Sequence, residues 1–277
     1  MEPEVVPVRP EVAPVDRAPR RSGPAPSERE RAPGPRPRPI SASRADPIGR
    51  AWLRNRWEEL AFVHWEYDPA EIQRLLPDGL RVDVIDGSAW VSLIPFRMAD
   101  AAPNPFPAVP WLSRFAETNV RTYVVDSDGD RAIWFFSLEA DRLAVVALAR
   151  AALGFPYVWS SMELEVDGAR RRYATHRRRW PRSPPATTTV ELEVGVRIAE
   201  PTERDVFLSA RWGTVARWRG RLRFHPVDHD EWHLHQATLL RLDTGALVAA
   251  GLSEPAAEPL VRWAEPVDAR FGVPRRV

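Results

Sequence analysis

A chain of 277 residues, 44% of them hydrophobic, has enough apolar surface for one large domain or two small ones. Its net charge of +1 excludes a whole-molecule attraction to nucleic acid, and the absence of cysteine excludes disulfides, thiolate nucleophiles and thiolate metal sites. Lysine is absent too, so every basic residue is arginine, and no side chain can form a Schiff base with a ketone or with pyridoxal phosphate.

The opening "MEPEVVPVRPEV" carries acids and prolines where a signal peptide has basic and apolar segments. With the lack of cysteine, this reads as a cytoplasmic chain. No stretch approaches the roughly 20 apolar residues of a membrane span, so no membrane partner is expected. Residues 1–48 alternate Pro, Arg, Ala, Ser and Glu and read as a disordered Pro/Arg-rich tail, leaving 49–277 as the folded domain.

"LAFVHWEY" (60–67) reads as a strand. "DPAEIQRLLPDGL" reads as a short helix with Asp68 as N-cap, Pro69 at its first position and Glu71 completing a capping box. Its buried stripe would be Ile72, Leu75 and Leu76, and Pro77 and Gly79 end it. "LRVDVIDGSAWVSLIPFRM" reads as a hairpin turning at Asp86-Gly87, followed by a proline-rich loop over 101–115. A second hairpin turns near Asp128-Gly129, after the strand "ETNVRTYVV" (117–125). Alternation places Glu117, Asn119, Arg121 and Tyr123 on one face of that strand and Thr118, Val120, Thr122 and Val124 on the other.

"RLAVVALARAALG" reads as the longest helix, closed by Gly154 and Pro156. Strands follow at "YVWSSMELEVDG" and "ARRRYATHRRRW", paired across Asp167-Gly168, and at "TTTVELEVGVRIAE". "DVFLSARW" reads as a helix or turn leading into a strand, "VARWRGRLRFHPV" turns at Gly220, and "WHLHQATLLRL" extends the sheet. Many hairpins and few helices give an α+β, mainly antiparallel domain built as a barrel or curved sheet.

Several segments in order resemble the YqjF-like domain-of-unknown-function family. They are "HWEYDPAEIQRLLPDGL", "DGSAWVSLIPFRM", "ETNVRTYV", "IWFFSLEAD", "ALGFPY" and "FLSARW", and the resemblance spans about residues 52–240. That family is grouped with acetoacetate decarboxylase, whose fold is a cone-shaped β-barrel with a few helices packed against it. The resemblance implies a ligand site inside the barrel and makes Glu117 the counterpart of an interior glutamate near the decarboxylases' catalytic lysine. That lysine has no match here, so Schiff-base decarboxylation is rejected. Where the family tends to read His, any residue, Pro-Trp-Pro-Leu, "HDEWHLH" keeps only His229, Trp232 and Leu234.

With the resemblance, the polar face becomes a recognition surface for a small carboxylate- or carbonyl-bearing molecule. A buried Arg121 must be paired, with Glu117 on the same strand face or with a bound anion. Arg121, Asn119 and Tyr123 would then bind the ligand, with Trp232 carried over beside them. Glu117 would move a proton in lyase- or hydrolase-type acid/base chemistry. His64 is a second acid/base candidate or a satisfied core histidine. The competing readings are a satisfied structural network, a non-catalytic small-ligand sensor and an Arg-rich RNA-binding module carried by "ARRRYATHRRRWPR" and "ARWRGRLRF". Charge balance makes nucleic acid the less expected partner. The tract from His225 to His235 reads as a solvated loop rather than a metal site, and neither metal nor cofactor is expected.

Overall fold

The computed structural model describes residues 35–178 and 180–277. Its N-terminal half contains β1 (Ala51–Glu58), β2 (Leu60–Tyr67), α1 (Pro69–Leu75), β3 (Arg81–Val82), β4 (Ala89–Pro103), β5 (Phe115–Val125) and β6 (Arg131–Ala140). Next come α2 (Leu143–Leu153), β7 (Tyr157–Asp167), β8 (Arg170–Arg177), β9 (Thr187–Arg197), α3 (Glu203–Ser209) and β10 (Gly213–Trp218). The chain finishes with β11 (Arg221–His229), β12 (Leu234–Thr244), α4 (Gly245–Ala249), β13 (Leu260–Ala264), β14 (Val267–Gly272) and β15 (Arg275–Arg276).

The ladders close on themselves. β1, β14, β11, β10, β6, β5 and β4 form a ring of seven strands, completed by the β4–β1 pairing. A second circuit runs from β6 through β7, β8, β9, β12, β13 and β2 back to β4 and β5. The two circuits share β4, β5 and β6. Among the described residues, only the β6–β10 and β6–β7 ladders are parallel. This is the mainly antiparallel, few-helix fold that the hairpin-rich sequence leads one to expect.

A shared wall must serve two interiors, and strand alternation lets it. Thr118, Val120 and Thr122 turn into the second circuit, which is filled. Val120 packs there with Val63, Trp65, Tyr173, Val190 and Leu192, and Leu247 of α4 joins them. Thr118 meets Thr175 at 3.2 Å, Thr122 donates to the Trp90 carbonyl, and Glu139 and Arg177 make a fully buried ion pair. The opposite faces of β4, β5 and β6 look into the seven-strand ring.

Local signals set the helix ends. Asp68 caps α1 by accepting from the Ala70 N–H at 2.8 Å, with Pro69 next to it. Glu71 does not close a capping box; its carboxylate accepts from Ser253 Oγ instead. Ile72 is the buried anchor of α1, whereas Leu75 is exposed. The capping box belongs to α3, between Thr202 and Asp205. Gly154 ends α2 at φ +77°, where a Cβ would lie 2.4 Å from the Arg217 carbonyl oxygen.

Two departures from the sequence reading have topological causes. Asp86-Gly87 does turn, but joins only Ile85 to Ser88, because β3 pairs with the far end of β5. Of the expected tail, residues 1–34 lie outside the described residues. Residues 35–48 run against the ring: the Arg38 N–H donates to Gly129, Arg44 donates to the carbonyls of Trp212 and Val227, and Ile40 packs on the Trp90–Tyr123–Phe207 cluster.

Candidate functional site

The seven-strand ring encloses a cavity of about 100 Å³. One water needs roughly 10–15 Å³ on this measure, so there is room for a small organic molecule. Every strand of the ring contributes to the wall, which is mostly aromatic and aliphatic, with Trp57, Phe62, Phe96, Phe135 and Phe155 prominent. The polar face of β5 opens into it through Glu117, Asn119 and Arg121.

Glu117 is 2% exposed. Tyr157 donates its hydroxyl to Glu117 Oε2 at 2.9 Å. Burial raises the carboxyl pKa to about 8, against the pull of hydrogen bonds from Tyr157 and Asn119, which favour the ionised form. Glu117 is therefore a neutral acid at neutral pH. Asn119 Oδ1 has no protein partner.

Arg121 is buried and cannot discharge by losing its proton. Its Nη2 donates to the Leu208 carbonyl at 3.1 Å, and its Nε has no partner. The guanidinium lies 5.7 Å from the Phe62 ring centre. Among the described residues it makes no ion pair. The Glu117–Arg121 pairing considered from the sequence is not formed, since four residues of extended chain span about 13 Å.

Tyr123 and His64 do not reach the cavity. They stand behind it, in a hydrogen-bond chain from His64 Nδ1 to Ser92 Oγ (2.6 Å), to Tyr123 Oη (2.7 Å) and on to the Leu208 carbonyl (2.6 Å). That carbonyl is the one that anchors Arg121. Burial, then the positive charges of Arg121 and Arg262, keep the His64 pKa well below its ordinary value, so the ring is neutral. His64 stacks on Phe62, whose ring lines the cavity. Trp232 lines the cavity directly, stacked on Trp57 at 5.8 Å and held by Nε1 to the Ser209 carbonyl.

Among the lining residues given no role from the sequence are Tyr157, Arg211 and His229. Tyr157 comes from the start of β7, which nothing in its spacing links to Glu117. Arg211, from the quoted "FLSARW", is buried against Phe207 and paired with Asp83 at 3.1 Å; burial lowers its pKa to about 10. Asp83 is also gripped by Arg131. His229, noted only as a carry-over, is kept neutral by burial, with a pKa near 4, and packs between Trp212 and Trp232.

The histidine tract divides. His225 and His229 share the inward face of β11, whereas His233 and His235 both contact Glu265 outside. The one acidic cluster among the described residues that could hold a metal, Asp126, Asp128 and Asp130, is engaged by Arg275. In the basic run of β8, Arg170, Arg171, Arg172 and Arg177 all face glutamates. No described helix is long and apolar enough to cross a membrane.

Residues 54–268 match the family model DUF2071, described as "Uncharacterized conserved protein". The chain belongs to this family. It is 29% identical over 235 residues to the uncharacterized protein YqjF of Bacillus subtilis (strain 168), which covers 81% of this chain and 92% of that protein. Among solved structures, an acetoacetate decarboxylase-like enzyme from Sphingomonas wittichii RW1 superposes with a TM-score of 0.58 at 16% identity, over 82% of this chain and 93% of its own. The acetoacetate decarboxylase of Legionella pneumophila gives 0.53 at 14%, over 88% and 92%. The enduracididine biosynthesis enzyme MppR, complexed with pyruvate, gives 0.55 at 14%, over 82% and 90%. At such identities these likenesses establish that this chain has an acetoacetate-decarboxylase-like fold and nothing about chemistry.

Proposed function

We propose that the ring cavity binds a small carboxylate- or carbonyl-bearing molecule, with Arg121 holding the anionic or electron-rich group and Glu117 exchanging a proton with it. The observation that carries this reading is Arg121 itself: a buried guanidinium with no acidic partner among the described residues, on the wall of the ring cavity. An uncompensated buried cation favours an anion, and the planar fork of arginine suits a carboxylate. The MppR structures with pyruvate, and with a condensation product of pyruvate and imidazole 4-carboxaldehyde, add support by analogy of fold.

The chemistry follows from Glu117 being neutral. A buried carboxylic acid in a largely aromatic cavity donates a hydrogen bond or a proton to a carbonyl oxygen and can take the proton back as the carboxylate. Tyr157 then stabilises the ionised form. With no lysine in the chain, no side-chain imine takes part. The test is native mass spectrometry of protein purified from cells. A bound small acid or carbonyl compound is expected on the wild type and is expected to be lost in Arg121→Ala. A co-purified ligand retained fully in that variant would contradict the reading.

A further inference from the structure

The cavity wall has a second polar point, on the other side of β6 from Arg121. Thr214 of β10 lines the cavity, and its Oγ1 is buried without a partner. His225 of β11 is directly opposite it in the β10–β11 ladder and alternates with Val227 and His229, both of which line the cavity. His225 is 2% exposed and is not itself a lining residue; its ring tilts against the lining Phe155 at 5.0 Å, and neither of its nitrogens has a hydrogen-bond partner. Burial and nearby Arg223 hold its pKa down to about 4, so it offers one N–H donor and one acceptor.

Buried polar atoms in native proteins nearly always have partners, and an unpaired hydroxyl on the cavity wall with an unpaired imidazole opposite it in the ladder calls for an explanation. Apolar side chains of the same shape would suit this wall better if nothing polar ever reached it. We propose that Thr214, backed by the unpaired His225 opposite it, forms a subsite for an uncharged hydrogen-bonding group of the ligand: a hydroxyl, a carbonyl or an amide. Arg121 and Thr214 stand two strands apart, roughly 10 Å across the wall. The inference rests on the reading of Arg121 as the anion site and narrows it. The ligand is then a short acid carrying a neutral polar group several atoms from its carboxylate, rather than a purely aliphatic acid.

Titration calorimetry on the full chain with 4-oxopentanoate and pentanoate tests this. The two acids have the same length and differ in the neutral carbonyl. The wild type is expected to bind 4-oxopentanoate about tenfold more tightly, the scale of one buried hydrogen bond. Thr214→Val should reduce that preference without lowering the thermal midpoint of the ligand-free protein, and His225→Phe is the second variant. Equal binding of the two acids by the wild type, with both lost in Arg121→Ala, would overturn the subsite and leave the anion site standing. Binding of neither acid, or binding indifferent to Arg121→Ala, would overturn both. A midpoint lowered by several degrees in Thr214→Val, with the preference intact, would make Thr214 structural and overturn its part in the subsite.

Discussion

Glu117 occupies a place where a carboxylate would give up water without gaining a cation, so burial keeps its proton on to about pH 8. In the unfolded chain the same group ionises near its ordinary value of 4.5. Between those values the folded protein binds the extra proton. This stability contribution is fully present below about pH 4.5 and is lost as pH rises through about 8. Denaturant unfolding of wild type and Glu117→Gln, followed from about pH 4 to about pH 9, is expected to show the wild type losing stability relative to the variant across that window, by a few kcal/mol at most. A difference independent of pH would show that Glu117 ionises normally. The alternation of "ETNVRTY" made Glu117, Asn119 and Arg121 legible as one face, because the period of two is a local property of strands. Their true partners were not legible. Tyr157 is 40 positions from Glu117, and the Leu208 carbonyl that holds Arg121 is 87 positions away, so only the closed ladders bring them together.

At the scale of elements, turns written in Gly and Asp were readable, and closures were not. Asp167-Gly168 joins β7 to β8 and Gly220 joins β10 to β11, each by a short turn that sequence chemistry specifies. β1, α4 and the strands after Leu260 gave no such signal, yet β14 and β13 complete the two circuits. The segment at 35–48 was equally opaque, because its hold on the ring is a few apolar side chains, Ile40 and Ile48 among them, and backbone or arginine hydrogen bonds spread over distant strands. Deleting residues 1–48 is therefore expected to lower the thermal midpoint by roughly 2–8 °C relative to deleting 1–34, corresponding to a loss of ~1–2 kcal/mol. Identical midpoints for the two truncations would show that this strap contributes nothing to stability.

For the whole molecule, the two circuits divide the labour of the fold. The one that includes β7, β8, β9 and β12 holds a large buried hydrophobic cluster, while the seven-strand ring keeps a cavity and, in Arg121, a buried charge with no acid beside it among the described residues. A filled core supplies the stability that a hollow ring holding a few buried polar groups gives up, which is how functional sites are commonly carried. The arginines of β8 are matched with glutamates, so the surface there resembles a solvated ion-pair face more than a phosphate-binding groove. The central claim is that the ring cavity is an anion site built on Arg121, and it is tested most directly by the affinity of 4-oxopentanoate for wild type and Arg121→Ala. Titration calorimetry should show binding weakened by about 1.5–3 kcal/mol in the variant, the worth of a hydrogen bond to a charged group. Unchanged affinity in a variant whose circular dichroism and thermal midpoint match the wild type would contradict it.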